Sequence, residues 1–312
     1  MAAGNVKKRD PAKFCDPRVT AKGEERATVS LAQLRTLWFN TGTLCNIACK
    51  GCYIESSPSN DRLAYLTLQD ASPFLDEIDQ GVEVGFTGGE PFLNPHMIDL
   101  IAMALALGHR VIVLTNAMRP MLRPRVKEGL LNLRKEYGGR LVLRVSLDHP
   151  DAPLHDAERG EGAFAETLGG VDWLSANDFT VHVAGRMWGA DENDLRARYT
   201  ALFAARDWRI DATSAHELVL FPEMDADADV PEITTACWGV LGRDPGELMC
   251  ATSRMVMRRA GAARPVVAAC TLLPYDAAFE LGATLAESSR TVALNHPHCA
   301  KFCVLGGGKC AT

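Results

Sequence analysis

Short apolar runs alternate with longer helical stretches through the first two-thirds of the chain, and this rhythm limits the fold more than any single residue does. Leu34–Asn40, with Leu37, Trp38 and Phe39, reads as a first strand, and Val82–Thr87 as the next. Arg110–Thr115, Leu141–Leu147, Thr180–Ala184 and Glu217–Phe221 follow as β-branched or alternating runs. Between them lie helical stretches. One spans roughly 67–80, with Thr67 or Ser72 as its cap and Pro73 in its first turn. Another starts at Asn94 (cap) and Pro95 (first turn) and stops at Gly108. A basic stretch through Tyr137, the set Phe164, Leu168, Val171 and Leu174, and Asp194–Arg206 complete the series. Six strand–helix repeats with short links predict an α/β fold, a parallel sheet wrapped into a partial (β/α)6 TIM-like barrel with ligands at the strand C-termini. Residues 1–33 are polar without a strong period and read as an extension that packs loosely or caps the barrel, which occupies 34–225.

Chemistry enters just after the first strand. Cys45, Cys49 and Cys52 form a CxxxCxxC run on one short loop. Three thiolates so spaced can hold three corners of a cubane iron–sulfur cluster and leave the fourth iron without a protein ligand. A structural zinc loop is the alternative, with a fourth ligand from elsewhere in the chain. Downstream, Val82-Glu-Val-Gly-Phe-Thr-Gly-Gly-Glu-Pro91 reads as a strand ending in a turn. There Gly88 and Gly89 lack a Cβ and permit close backbone approach, and Glu90 can take a ligand ammonium. An ordinary Gly-Gly turn is the plainer reading of that segment alone.

Together, CxxxCxxC, the trailing aromatic Tyr53 and Gly88-Gly89-Glu90-Pro91 resemble the radical S-adenosylmethionine (SAM) superfamily. Val145-Ser-Leu-Asp-His-Pro150, then His155-Asp156-Ala-Glu-Arg159 and Gly162-Ala-Phe164, narrow it. They are similar to the SLDG, HD, R and G.F pattern of sulfatase-maturating and peptide-modifying members with SPASM or twitch auxiliary domains, with His149 standing where that pattern has glycine. The resemblance implies that Ser146 contacts the methionyl or ribose end of SAM and that Arg159 contacts its carboxylate. Asp148 reads equally as a ligand group or as turn chemistry, and Asn116 and Arg186, at the ends of two other strands, are weaker candidates.

Residues 226–312 break from the strand–helix rhythm and carry Cys250, Cys270, Cys299, Cys303 and Cys310. Two apolar runs around a Gly-containing turn between Cys250 and Cys270 predict a hairpin that brings those two cysteines together. The region resembles a small twitch/SPASM-like domain, which implies an auxiliary [4Fe–4S] cluster. Cys250, Cys270, Cys299 and Cys303 are the chosen ligands, and Cys310 is a rival for either of the last two places. A zinc site held by four cysteines is the alternative. Cys15 and Cys237 read as ordinary thiols.

By that resemblance the chain would cleave SAM reductively to a 5′-deoxyadenosyl radical and take a hydrogen from substrate. A one-electron reductant such as flavodoxin or ferredoxin would serve it. The substrate would be a small polar metabolite or short peptide, and the maturation of a larger peptide or protein is the second reading. Glu217, Glu223 and Asp225 are candidates for a base. A zinc-stabilised binding protein is the reading from another class. A net charge of −6 over 312 residues speaks against nucleic acid as an obligatory partner. No run approaches 18 apolar residues, so no membrane span is expected and the location predicted is cytoplasmic.

Overall fold

The computed structural model describes residues 9–222 and 224–308. Glu223 and Cys310 therefore lie outside the described residues. β1 (Thr28–Val29) precedes six strands: β2 (Thr36–Asn40), β3 (Glu83–Thr87), β4 (Val111–Thr115), β5 (Leu141–Ser146), β6 (Thr180–Arg186) and β7 (Leu218–Phe221). Each of β2 to β7 pairs parallel with the next in chain order. Helices α1 (Leu68–Asp76), α2 (Met97–Ala106), α3 (Pro124–Tyr137), α4 (Ala152–Arg159), α5 (Ala163–Ala176) and α6 (Glu192–Ala205) fill the crossovers. This is the parallel partial barrel that the alternation predicts.

Period-two alternation sorts the strand side chains. Leu37, Phe39, Val84, Phe86, Val111, Val113, Leu143 and Val145 point to the helices and share one core. Trp38, Ile112 and Val142 belong to a second core shared with the C-terminal region. Gly85 pairs in register with Trp38, and a Cβ at Gly85 would run into the indole ring, so the barrel interior is filled by one large residue beside none. Burying each such Leu, Val or Phe contributes roughly 1.5–3 kcal/mol. A one-residue slip of any strand would exchange the two faces, so the register is firmly set.

Several local boundaries differ from the sequence reading. Thr67 does cap α1, with the reciprocal bonds of a capping box to Asp70. Ser72 and Pro73 then fall inside the helix rather than at its start. Asn94 is not the cap of α2, which begins at Met97 after a 3₁₀ turn, Pro91–Leu93. The Asn94 side chain instead donates to the Thr41 and Leu66 carbonyls at 3.1 and 2.9 Å, stitching two loops together. β6 continues to Arg186, two residues beyond the expected Ala184.

The C-terminal region is continuous with the barrel. β8 (Ser253–Met257) pairs parallel with β2, and β9 (Val266–Ala268) and β10 (Glu280–Gly282) extend the sheet antiparallel from it. The resulting nine-stranded sheet runs β10-β9-β8-β2-β3-β4-β5-β6-β7. The N-terminal extension is tied into the fold at its end. β1 pairs with β11 (Val292–Ala293), and buried Arg26 bonds Glu232 at 2.5 Å. Among the described residues, no helix is long and apolar enough to cross a membrane.

Candidate cofactor site

A cavity of about 130 Å³ lies at the C-terminal ends of β2 to β6. Cys45, Cys49 and Cys52 line it together with Gly88, Gly89, Asn116, Ser146 and Arg159. A larger cleft of about 770 Å³ sits at the opposite ends of the strands, but no cysteine lines it. The smaller cavity is therefore the site. Its loop is pinned by backbone bonds from Cys45 N to Ser57 O at 3.0 Å and from Glu55 N to Cys52 O at 3.0 Å. Burial pushes the Cys45 thiol up to about 12 and raises Cys49 as well, so metal binding here must displace protons. Among the described residues, no three His, Cys, Asp or Glu side chains are grouped so as to hold a single metal ion.

The Gly-Gly turn serves the chain's own backbone. Gly88 has φ +140°. A Cβ on Gly88 would strike the Gly42 carbonyl oxygen, and one on Gly89 the Leu44 carbonyl oxygen. Gly89 N and Glu90 N donate to those same two carbonyls at 2.9 and 3.0 Å. The cysteine loop and the glycine turn are thus one hydrogen-bonded unit.

Glu90 departs from its expected place. Its carboxylate is buried and accepts from Thr115 Oγ1 at 2.9 Å, Asn116 N at 2.9 Å and Phe92 N at 3.1 Å. It is not among the residues lining the cavity. Burial pushes its carboxyl up to about 7 against those hydrogen bonds. Asn116, ranked low on sequence, stands in the cavity wall, and its amide donates to Asn46 Oδ1 at 2.9 Å.

At the ends of β5 and α4, Asp148 receives Arg159 Nε at 2.7 Å and Nη2 at 2.9 Å, with Arg186 Nε at 3.6 Å. Burial opposes ionisation of Asp148, but the two guanidinium groups prevail and hold it below the usual carboxylate range. Asp148 reads best as the anchor of Arg159, and both line the cavity with Ser146, Arg186 and Tyr53. His149 does not disturb the turn. It has no positive φ, and its Nδ1 accepts from Asp151 N at 3.0 Å. Asp156 accepts from Gly162 N and Phe164 N at 3.0 and 2.7 Å, which accounts for the HD and G.F spacing as the start of α5.

The second cysteine group lines a pocket of its own. Cys250, Cys270, Cys299 and Cys303 line one small apolar pocket with Leu248, Ala269, Phe279 and Leu294. Cys299 and Cys303 sit on one π-helical turn, Cys299–Leu305. Burial pushes Cys250 up to about 11 and Cys299 well above its ordinary value. Cys15 is exposed, and Cys237 accepts from Thr234 N. Glu217 accepts from Asp211 N away from the cavity, and Asp225 does not line it either, so neither stands where a base would act.

Several known proteins are similar. The chain is 32% identical over 143 residues to the antilisterial bacteriocin subtilosin biosynthesis protein AlbA of Bacillus subtilis, covering 45% of this chain and 30% of that protein. It is 30% identical over 166 residues to the mycofactocin maturase MftC of Mycolicibacterium smegmatis, covering 50% and 40%. The matches thus span well under half the length of these relatives. In fold, native anSMEcpe with bound AdoMet gives a TM-score of 0.58 at 14% identity, covering 82% of this chain and 80% of that one. Streptococcus suis SuiB bound to S-adenosylmethionine gives 0.58 at 11% identity, covering 81% and 64%. The Radical SAM superfamily profile matches residues 39–204, from the end of β2 into α6, which includes the cysteine loop and the ends of β3 to β6 at the thiol-lined cavity. On that match the chain belongs to the radical SAM superfamily, whose members bind a [4Fe–4S] cluster and S-adenosylmethionine.

Proposed function

We propose that this chain is a peptide-modifying radical SAM enzyme that takes a hydrogen atom from an apolar side chain. The observation that carries the reading is the cavity's mixed lining. Thr115, Asn116, Ser146, Asp148, Arg159 and Arg186 are its polar members. Leu114, Phe221, Met224, Leu272 and Phe302 are among its apolar ones. Phe221 and Phe302 pack ring to ring at 5.6 Å. An apolar wall rewards an aliphatic or aromatic group and leaves a small polar metabolite with unpaired groups. The apolar lining supports the short peptide of the first reading over the small polar metabolite named beside it. The peptide reading also accords with the maturase names of the relatives above.

The residues present fit the cofactors. Cys45, Cys49 and Cys52 would hold the cluster, and among the described residues no further cysteine lines that cavity. Once bound, the cluster supplies the electron that cleaves SAM to the 5′-deoxyadenosyl radical. Ser146, Asn116 and Arg159, which line the cavity, would orient SAM, with Arg159 held by Asp148. Gly88 and Gly89 bring the turn close to the cysteine loop, and Tyr53 closes one side. Glu90 acts from behind the wall, holding Asn116 in place through its backbone N–H. Cys250, Cys270, Cys299 and Cys303 would hold an auxiliary cluster, with Leu272 and Phe302 between it and the radical site. That placement suits an electron acceptor and a net oxidation. A soluble one-electron reductant, flavodoxin or ferredoxin, and a cytoplasmic location complete the reading.

The test is label transfer. Anaerobically reconstituted protein is given SAM, reductant and synthetic peptides carrying perdeuterated Leu, Val or Phe. Deuterium in the 5′-deoxyadenosine is the expected result. Transfer from deuterated polyols or amino sugars, with none from any peptide, would overturn the reading.

A further inference from the structure

Two residues, Lys50 and Gly51, separate Cys49 from Cys52, and their backbone is gripped from outside the loop. Lys50 N donates to the Glu158 carbonyl at 3.0 Å. Gly51 N donates to Glu158 Oε1 in a short bond. Arg186 Nη2 donates to Gly51 O at 3.0 Å. The two clamping side chains face each other, Arg186 Nη1 lying 3.7 Å from Glu158 Oε1, and both are largely buried. Arg186 is itself steadied by Asp148, through Nε at 3.6 Å and through its backbone N–H to the Asp148 carbonyl at 3.0 Å. There is no room for a side chain between them. A Cβ on Gly51 would lie 2.5 Å from both Arg186 Nη1 and Glu158 Oε1.

We propose that Glu158 and Arg186 are positioning residues that set the Cys49–Cys52 separation before any iron arrives. Three of the four backbone polar groups of this two-residue link are satisfied by the last turn of α4 and the end of β6. The spacing is therefore dictated by rigid elements rather than by the loop. A link held in this way does not pay its ordering entropy when the cluster binds. The same α4 turn carries Arg159, one residue on from Glu158. The grip on the cysteine loop and the anchoring of Arg159 by Asp148 therefore move as one body.

The proposal rests on the reading that Cys45, Cys49 and Cys52 hold the cluster. The experiment follows the iron fraction that is missing from the C45A/C49A/C52A chain, using the reconstituted full chain and a ferrous chelator, bathophenanthroline, under anaerobic conditions. E158A should release that fraction about tenfold faster than wild type, the scale of one lost charge-assisted hydrogen bond. It should also broaden the electron paramagnetic resonance signal of the reduced cluster. E158Q keeps an acceptor oxygen for Gly51 N and should return to within about twofold of wild type. G51A should behave like E158A. Wild-type release from both E158A and G51A would overturn the clamp, and so would an E158Q chain as labile as E158A. Iron unchanged in the C45A/C49A/C52A chain would refute the ligand assignment instead, so the two failures are distinguishable.

Discussion

Replacing Asp148 by Asn tests the anchor of the polar wall. Asp148 is almost fully buried, its side chain 4% exposed, and that of Arg159 is 9% exposed, so solvent screens the pair little. The carboxylate takes two short bonds from Arg159, at 2.7 and 2.9 Å, and faces Arg186 at 3.6 Å. Asn keeps the shape but removes the charge, leaving two guanidinium groups facing each other in a low-dielectric site. Removing one partner of a buried pair costs about 3–5 kcal/mol, most of it the penalty on the charge left behind. At roughly 2–4 °C per kcal/mol for a chain approaching this size, the midpoint of thermal unfolding should fall by about 6–20 °C. The assay is guanidinium unfolding of the metal-free chain, where the midpoint should drop at constant slope. Because the folded-state pKa of Asp148 is depressed, its contribution is fully present above its unfolded value near 3.9 and is lost as pH falls through the lower folded value. Wild type and D148N should therefore converge only in strong acid. Pairing D148L with R159M should recover part of the loss, since an apolar pair leaves no orphaned charge. A D148N chain within about 1 kcal/mol of wild type at neutral pH, or a double variant whose losses simply add, would refute the reasoning.

Histidines should make the fold acid-sensitive well before the carboxylates do. Burial, with Arg159 adding to it, pushes His155 down to about 4, and neither ring nitrogen has a hydrogen-bond partner. A folded value below the unfolded one near 6.5 means that stability is complete above that pH and drains as pH falls toward about 4. At pH 5 the His155 share of the loss should be about 2 kcal/mol, and H155F should remove that share when unfolding free energies at pH 7.5 and 5 are compared. The cysteine groups should separate in iron analysis. The C45A/C49A/C52A chain should keep about four irons, in a chromophore that SAM does not alter, and adding C250A or C270A to it should bleach that chromophore. A colourless triple variant loaded with zinc would contradict the auxiliary cluster.

What the sequence could disclose was local. The strand–helix rhythm gave the six parallel strands because each buried strand needs its own short apolar run, and Thr67 with Asp70 was legible because a capping box lies within four residues. Asn94 misled because the helix starts only at Met97: its side-chain oxygen takes His96 N just ahead of the helix, while its amide is used by Thr41 and Leu66, far along the chain. The parallel pairing of β8 with β2 left no sequence signal, since a parallel partner can lie any distance away. Glu158 was passed over for the same reason. It is one of two acidic residues on its helix, and only the fold brings it to Gly51, 107 positions away.

Glu90 and the two glycines before it show what the fold adds to a short motif. The sequence marks Gly88 and Gly89 as places where something comes close, and Glu90 as a carboxylate with special work. What comes close is the backbone of Gly42 and Leu44, immediately ahead of Cys45. What the carboxylate does is tie this turn to Thr115 and Asn116 at the end of β4. On the other side of the same loop, Glu158 and Arg186 hold the link between Cys49 and Cys52. The cysteine loop is therefore braced ahead of its first cysteine and between its last two, by residues that give their bonds to protein. Such a loop keeps its shape whether or not the cofactor is bound, and a change to any one brace should loosen the cluster before it unfolds the barrel.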